Sequence, residues 1–215
     1  VITDNQINYV INEFESNIYP VTTEYFGEPD MHYGVDANLD FTNDSYYDET
    51  GRNVILVSNI RDESFYDASY PYYIVGFYSP QFETDFDRNI ISIDAYAWET
   101  RLGEPSYMYD ATIAHEYQHL IHDDYQPEDD LFLNEGCSMY AEPLCGYPIA
   151  WSDINSFLYT PDNSLVEWGD QGGINILADY GQGLLWTIYL SDHYGGADFI
   201  SHFVKSGIPG IAGIN

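Results

Sequence analysis

The feature that most constrains this chain is its charge: 36 Asp and Glu stand against 5 Lys and Arg, a formal net charge of −31 over 215 residues. Carboxylates in that excess keep a protein dissolved but repel one another once the chain is compact, so salt or bound cations such as Ca²⁺ must screen them. A sizeable core is available to oppose the repulsion. Hydrophobic residues make up 45% of the chain, and its 22 tyrosines add apolar body without charge. The same imbalance excludes nucleic-acid binding, which needs a basic surface to neutralise phosphates, and argues against docking on anionic lipid. No apolar run approaches the roughly 20 residues of a membrane helix. The expectation is an extracellular protein, secreted or displayed on a cell surface, or one adapted to salt. The start at Val1 without an initiator Met and the Gly-rich end at 207–215 read as a piece of a longer, processed protein.

Residues 4–18 read as an amphipathic helix, with Ile7, Val10, Ile11, Phe14 and Ile18 at helical spacing. Residues 29–52 are polar and acidic and read as a loop. Segments 53–60, 72–78 and 90–96 are short, β-branched or aromatic, and bounded by turn or polar residues, as strands are. From residue 106 the pattern turns helical, with candidates at 110–124, 134–142 and 183–194 and a loop-rich stretch at 143–172. The layout is α+β: a strand-rich N-terminal lobe, 1–125, ending in a helix that carries the candidate site, then a mainly helical C-terminal lobe, 126–215, the two forming one catalytic unit.

That candidate site lies in Ala114-His115-Glu116-Tyr117-Gln118-His119-Leu120-Ile121. Two histidines four apart on a helix share one face, so both imidazoles can approach one Zn²⁺ at about 2.0–2.1 Å. Glu116 flanks the ion without needing to bind it, close enough to take a proton from the attacking water. A catalytic zinc needs three protein ligands and an open position. The extended metzincin pattern would put Gly at 122 and His or Asp at 125, but His122 and Tyr125 stand there. Glu135, in Leu133-Asn134-Glu135-Gly136, is the candidate third ligand instead, its alternative being an acid stabilised at a helix N-terminus. Pro127 marks the midpoint between residues 119 and 135, inside a segment with turn composition. Two antiparallel helices meeting there bring His119 and Glu135 to one level.

His115–His119 with Asn134-Glu135-Gly136 resembles the gluzincin metallopeptidases, which share a two-histidine, one-glutamate zinc site. Within them the chain is most similar to the hyicolysin-type peptidases, through Asn17-Ile18-Tyr19-Pro20, Phe26-Gly27, the two zinc motifs, and Tyr180-Gly181 with Leu190 to Gly195. The resemblance implies a zincin-like fold and a secreted zinc endopeptidase acting on proteins or peptides. It also implies that Tyr180, in a Tyr-x-x-Gly pattern, donates to the oxyanion, with His193 as the rival donor. It further implies that the strand at 90–96 is an edge strand pairing with extended substrate. The chain lacks the Gly-x-Met-Glu-Asn motif of related aminopeptidases, which favours an endopeptidase.

Other residues carry weaker readings. Glu142 shares a helical face with Glu135 and is a candidate partner for a zinc-binding imidazole. His122 reads as a hydrogen-bonded surface residue, and His32 and His202 have no partner in the sequence. Asp36-x-Asn38-x-Asp40 begins like a Ca²⁺ loop, but Phe41 and Tyr47 replace its Gly and Glu, leaving an irregular Ca²⁺ site with Asp44 or Asp48 as the open alternative. Cys137 and Cys145 are bridged only if Pro143 and Gly146 break their helix. The rival to a peptidase is an acidic Ca²⁺-binding surface module with a structural or vestigial zinc site. A zinc hydrolase acting on a non-peptide substrate is compatible with the same ligands.

Overall fold

The structure is a computed structural model that describes residues 2–39 and 46–214. The expected first helix is α1, Asp4–Glu13, opened by a capping box between Thr3 and Gln6. It does not stop at residue 18. The backbone widens into a π-helical stretch, Phe14–Ile18, and continues as α2, Tyr19–Phe26. Pro20 explains the widening, because a residue without an N–H cannot continue the regular bonding pattern and the wider turn absorbs the mismatch.

Three short strands follow with helices between them: β1 (Val54–Ser58), α3 (Glu63–Tyr66), β2 (Gly76–Tyr78), α4 (Pro80–Phe86), β3 (Ile90–Asp94) and α5 (Trp98–Arg101). They form one sheet in the order β1-β3-β2, with β1 parallel and β2 antiparallel to β3. Two expectations change here. The first half is not strand-rich, since helix outweighs strand even before residue 106. The strand at 90–96 is central rather than at the edge, and all five residues of β3 are buried. The antiparallel edge is β2. It is shorter than the expected 72–78 because the Ile74 N–H is taken by the Asp62 carboxylate. Asp94 ends β3 by accepting from the N–H groups of Ile60 and Tyr96, at 3.0 and 3.2 Å.

The rest is helical: α6 (Met108–Tyr125), α7 (Leu131–Leu144), α8 (Trp151–Tyr159), a 3₁₀ turn (Gly173–Asn175), α9 (Leu177–Tyr194), α10 (Ala197–Val204) and α11 (Ile211–Ile214). The fold is therefore α+β, with a small sheet and a predominance of helix. The expected loop at 143–172 contains α8. Only Ile154 of that helix is buried, so its sequence carries little apolar period. Within 29–52 the described residues form neither helix nor strand.

α6 is the pivot. It packs on β3 and β2, on α2 and on α7, while α9 packs on α7 and α8. Ile113, Ala114, Tyr117, Leu120 and Ile121 are buried in the main core, which also takes in Phe14, Ile93, Leu133 and Phe203. Among the described residues no helix is long and apolar enough to cross a membrane.

Candidate metal centre

His115 and His119 stand one turn apart on α6, and their rings meet edge to face with centroids 4.8 Å apart. Their Nε2 atoms are 3.1 Å from each other. Glu135, in the second turn of α7, places Oε2 at 3.3 Å from both nitrogens. The turn at 126–130 brings the two helices back to one level, as the spacing around Pro127 predicts.

The outer partners of the rings fix their tautomers. His115 Nδ1 lies 3.0 Å from Glu142 Oε1. His119 Nδ1 contacts the Asn134 side-chain oxygen and, at 2.9 Å, the Ser138 hydroxyl. A carboxylate and an amide oxygen only accept, so both Nδ1 atoms donate and both Nε2 atoms present lone pairs to the same point. Glu135 Oε2 points there too, buried and without a hydrogen bond. With both rings neutral, these three electron-pair donors cannot bond to one another, so a proton or a metal cation must sit among them. Against the lowering effect of burial, Glu135 and Glu142 raise the His115 imidazole well above its usual value. An ion holding ligands tetrahedrally at about 2.0–2.2 Å separates them by about 3.3–3.5 Å, close to the triangle observed. The residues present fit zinc.

Close helix packing sets this geometry. A Cβ on Gly136 would lie 2.5 Å from Thr187 Oγ1 and 2.9 Å from the Gly183 carbonyl, so only glycine lets α7 approach α9 as it does. A Cβ on Gly181 would meet the Asp153 carbonyl at 2.0 Å. The close approaches at Gly136 and Gly181 thus set Tyr180 against Glu135 and, with Asp153, at one cleft.

That cleft has a volume of about 530 Å³ and is lined by His115, Glu116, Glu142, Asp153 and Tyr180 and by residues 73–76. Glu116 is 7% exposed, and its Oε2 accepts from the Tyr78 main-chain N–H at 2.9 Å. Burial raises its carboxyl above the ordinary range, against the lowering effect of His115 and His119. Burial also opposes ionisation of Glu135, but His119 and His115 outweigh it and hold the carboxyl well below its usual value. The Tyr180 hydroxyl donates to Glu135 Oε1 at 3.3 Å. Burial, then the negative charges of Glu135 and Glu116, raise its phenol so that it stays protonated.

The structure thus brings His115, Glu116, His119, Glu135, Glu142 and Tyr180 together. His193 is elsewhere: it is exposed near the far end of α9, where its Nδ1 bonds to the Tyr189 carbonyl. His122 is not at the surface but fully buried, held by Gln118 at 3.1 Å and Asp129 at 2.9 Å. Cys137 and Cys145 are free and buried, because α7 runs on through Pro143 and keeps them about 12 Å apart along its axis. Of the acidic loop, Asp40, Phe41 and Asp44 lie outside the described residues. Asp48 instead accepts from Arg52 Nε at 2.8 Å. Sequence reasoning gave no role to Asn134 or Ser138, although four-residue spacing puts them on one helical face, and none to Asp153.

No protein-family model matches the chain. Its sequence is similar to that of the neutral metalloprotease ShpI of Staphylococcus hyicus, at 28% identity over 210 residues. The relationship is to a metalloprotease. The match covers 88% of this chain and 43% of the relative, so the chain spans less than half of that protein's length.

Proposed function

We propose that this chain is the catalytic unit of a secreted zinc endopeptidase of gluzincin type, hyicolysin-like, with lobes 1–125 and 126–215 flanking the cleft. The observation that carries the reading is the convergence of His115 Nε2, His119 Nε2 and Glu135 Oε2 at 3.1–3.3 Å, with both rings oriented from behind. These three residues are the zinc ligands. Zinc bound there supplies a Lewis acid for the scissile carbonyl and for water.

The remaining steps fall to side chains of the cleft. Glu116 accepts the proton of the attacking water and delivers it to the leaving amine. Its raised carboxyl suits a group that must both take and return a proton. Tyr180 turns its hydroxyl from Glu135 to the oxyanion as the carbonyl becomes tetrahedral. Glu142, Asn134 and Ser138 hold the imidazoles in the tautomer that leaves Nε2 free. An extended peptide pairs with the edge strand β2, which borders the cleft, rather than with the central β3. Similarity to a metalloprotease supports protein or peptide substrates.

The test is a casein digest by the wild-type chain and by Glu116→Gln, with zinc content measured on both. The reading requires that Glu116→Gln keep its metal and lose hydrolysis. Turnover retained in that variant removes Glu116 as the base, and a wild-type chain that takes up no zinc removes the enzyme.

A further inference from the structure

The chain holds a second group of this kind, which the peptidase reading does not use. His32, from the loop after α2, Glu83, from α4, and Asp124, near the end of α6, each offer a ligand atom, all within 4.8 Å of one another. Asp124 lies five residues beyond His119, about 7.5 Å further along the helix. We infer that His32, Glu83 and Asp124 form a second metal site, for a divalent transition ion such as Zn²⁺, that fastens the loop and α4 to the end of α6.

Glu83 points to a ligand most directly. The residue is half-buried, and its Oε1 is shut off from solvent with no hydrogen-bond partner. An oxygen in that position costs free energy unless a proton or a cation meets it. The surroundings deepen the need, because Asp36, Asp87 and Asp123 line the same cavity of about 320 Å³ and His32 is its one basic residue.

His32 is prepared for the role. Its Nδ1 lies 2.8 Å from Asp87 Oδ1, so Nδ1–H donates to Asp87 and Nε2 keeps its lone pair. This is the carboxylate–histidine arrangement that orients metal-binding imidazoles. Asp87 is itself held in place: it caps α4 with φ of 50° and accepts from the N–H groups of Val35 and Asp36 at 2.8 and 3.1 Å. Asp is one of the few residues that adopts that backbone region without a large penalty. Asp124 accepts from the Asp30 N–H at 2.7 Å and still places a carboxylate oxygen within reach of His32 and Glu83. A simple His32–Asp87 ion pair accounts for neither the unpartnered Glu83 oxygen nor the approach of Asp124. The imidazole selects the ion class, since Ca²⁺ takes oxygen ligands whereas nitrogen with carboxylates suits zinc and its neighbours.

The inference does not rest on catalysis, and metal stoichiometry tests it on the full chain. After chelator treatment, each variant is dialysed against Zn²⁺ alone, and in parallel against Mn²⁺ or Ca²⁺ alone, and bound metal per chain is measured. The wild type should hold two Zn²⁺, Glu135→Gln one, and Glu135→Gln combined with Glu83→Gln none. Asp87→Asn should weaken the second site by about 10–100-fold while leaving it detectable. Circular dichroism without metal checks folding, and His32→Gln replaces Glu83→Gln if that variant does not fold. The proposal is overturned if Glu135→Gln and its combination with Glu83→Gln bind the same amount of Zn²⁺, or if Ca²⁺ fills the second site while Zn²⁺ and Mn²⁺ do not. A wild type holding one Zn²⁺ that Glu83→Gln abolishes would uphold this site and sink the His115 centre instead.

Discussion

Two clusters of histidine and carboxylate sit on the same helix, and they differ in what surrounds them. Around His115, His119 and Glu135 stand a buried carboxylate, Glu116, a protonated phenol, Tyr180, and a cleft bordered by a sheet edge. Around His32, Glu83 and Asp124 stand more carboxylates and main-chain N–H groups already engaged by Asp87 and Asp124. The first cluster opens on a cleft bordered by a sheet edge; the second lies among further carboxylates and joins three separate segments. What a metal can do in a protein is decided by its neighbours as much as by its ligands.

The largest effect that would sharpen this contrast belongs to Glu116. Its replacement by Gln should lower kcat/KM by about 10³–10⁴-fold with the metal content unchanged, as read from a peptide assay and zinc analysis. Tyr180→Phe comes next, with kcat falling about 10²–10³-fold and KM nearly constant, because its donor is needed only once charge develops. A drop confined to KM would return Tyr180 to a packing role. Asn134→Ala removes an acceptor behind His119 and should weaken zinc binding at the first centre by about 10–100-fold in a chelator competition, leaving the second group untouched.

Two smaller effects concern the scaffold. Gly136→Ala should cost about 1–3 kcal/mol in thermal or denaturant unfolding, since the added methyl meets the Gly183 backbone. An unchanged melting temperature would mean that α7 and α9 are not held at this separation. Asp153 has its carboxyl pushed up to about 6, first by burial and then by Glu142, against its bond to Ser152. A raised value means that the folded state holds the proton more tightly than the unfolded one. The stability it gives is full below about pH 4 and is lost as the pH rises through about 6. Asp153→Asn should therefore raise the melting temperature relative to wild type more at pH 7.5 than at pH 4.5, by about 1 kcal/mol in stability. An equal gain at both values would break the assignment.

The sequence carried the first cluster well because its parts are local. Four-residue spacing fixes His115 and His119 on one face, and the symmetric distance about Pro127 brings Glu135 level. The second cluster was illegible for the opposite reason. His32, Glu83 and Asp124 are far apart along the chain, and only the tertiary fold makes His32 anything but a lone histidine. In the fold, α6, α7 and α9 were anticipated with ragged ends. The missed α8 buries a single residue, and the order of strands in a sheet leaves little mark on a short apolar run. The continuation through Pro20 was hidden because proline usually marks a helix boundary, and a widened turn is not written in local preference.

The bond from the Tyr78 main-chain N–H to Glu116 has a mechanical meaning. The sheet spends its last edge donor on Glu116 rather than on a neighbouring strand, so under the proposed function the template for a bound chain would halt beside that carboxylate. Any drift of that border carries Glu116 along with it. Under the proposed function, alignment of the peptide and aim of the carboxylate would share a single datum.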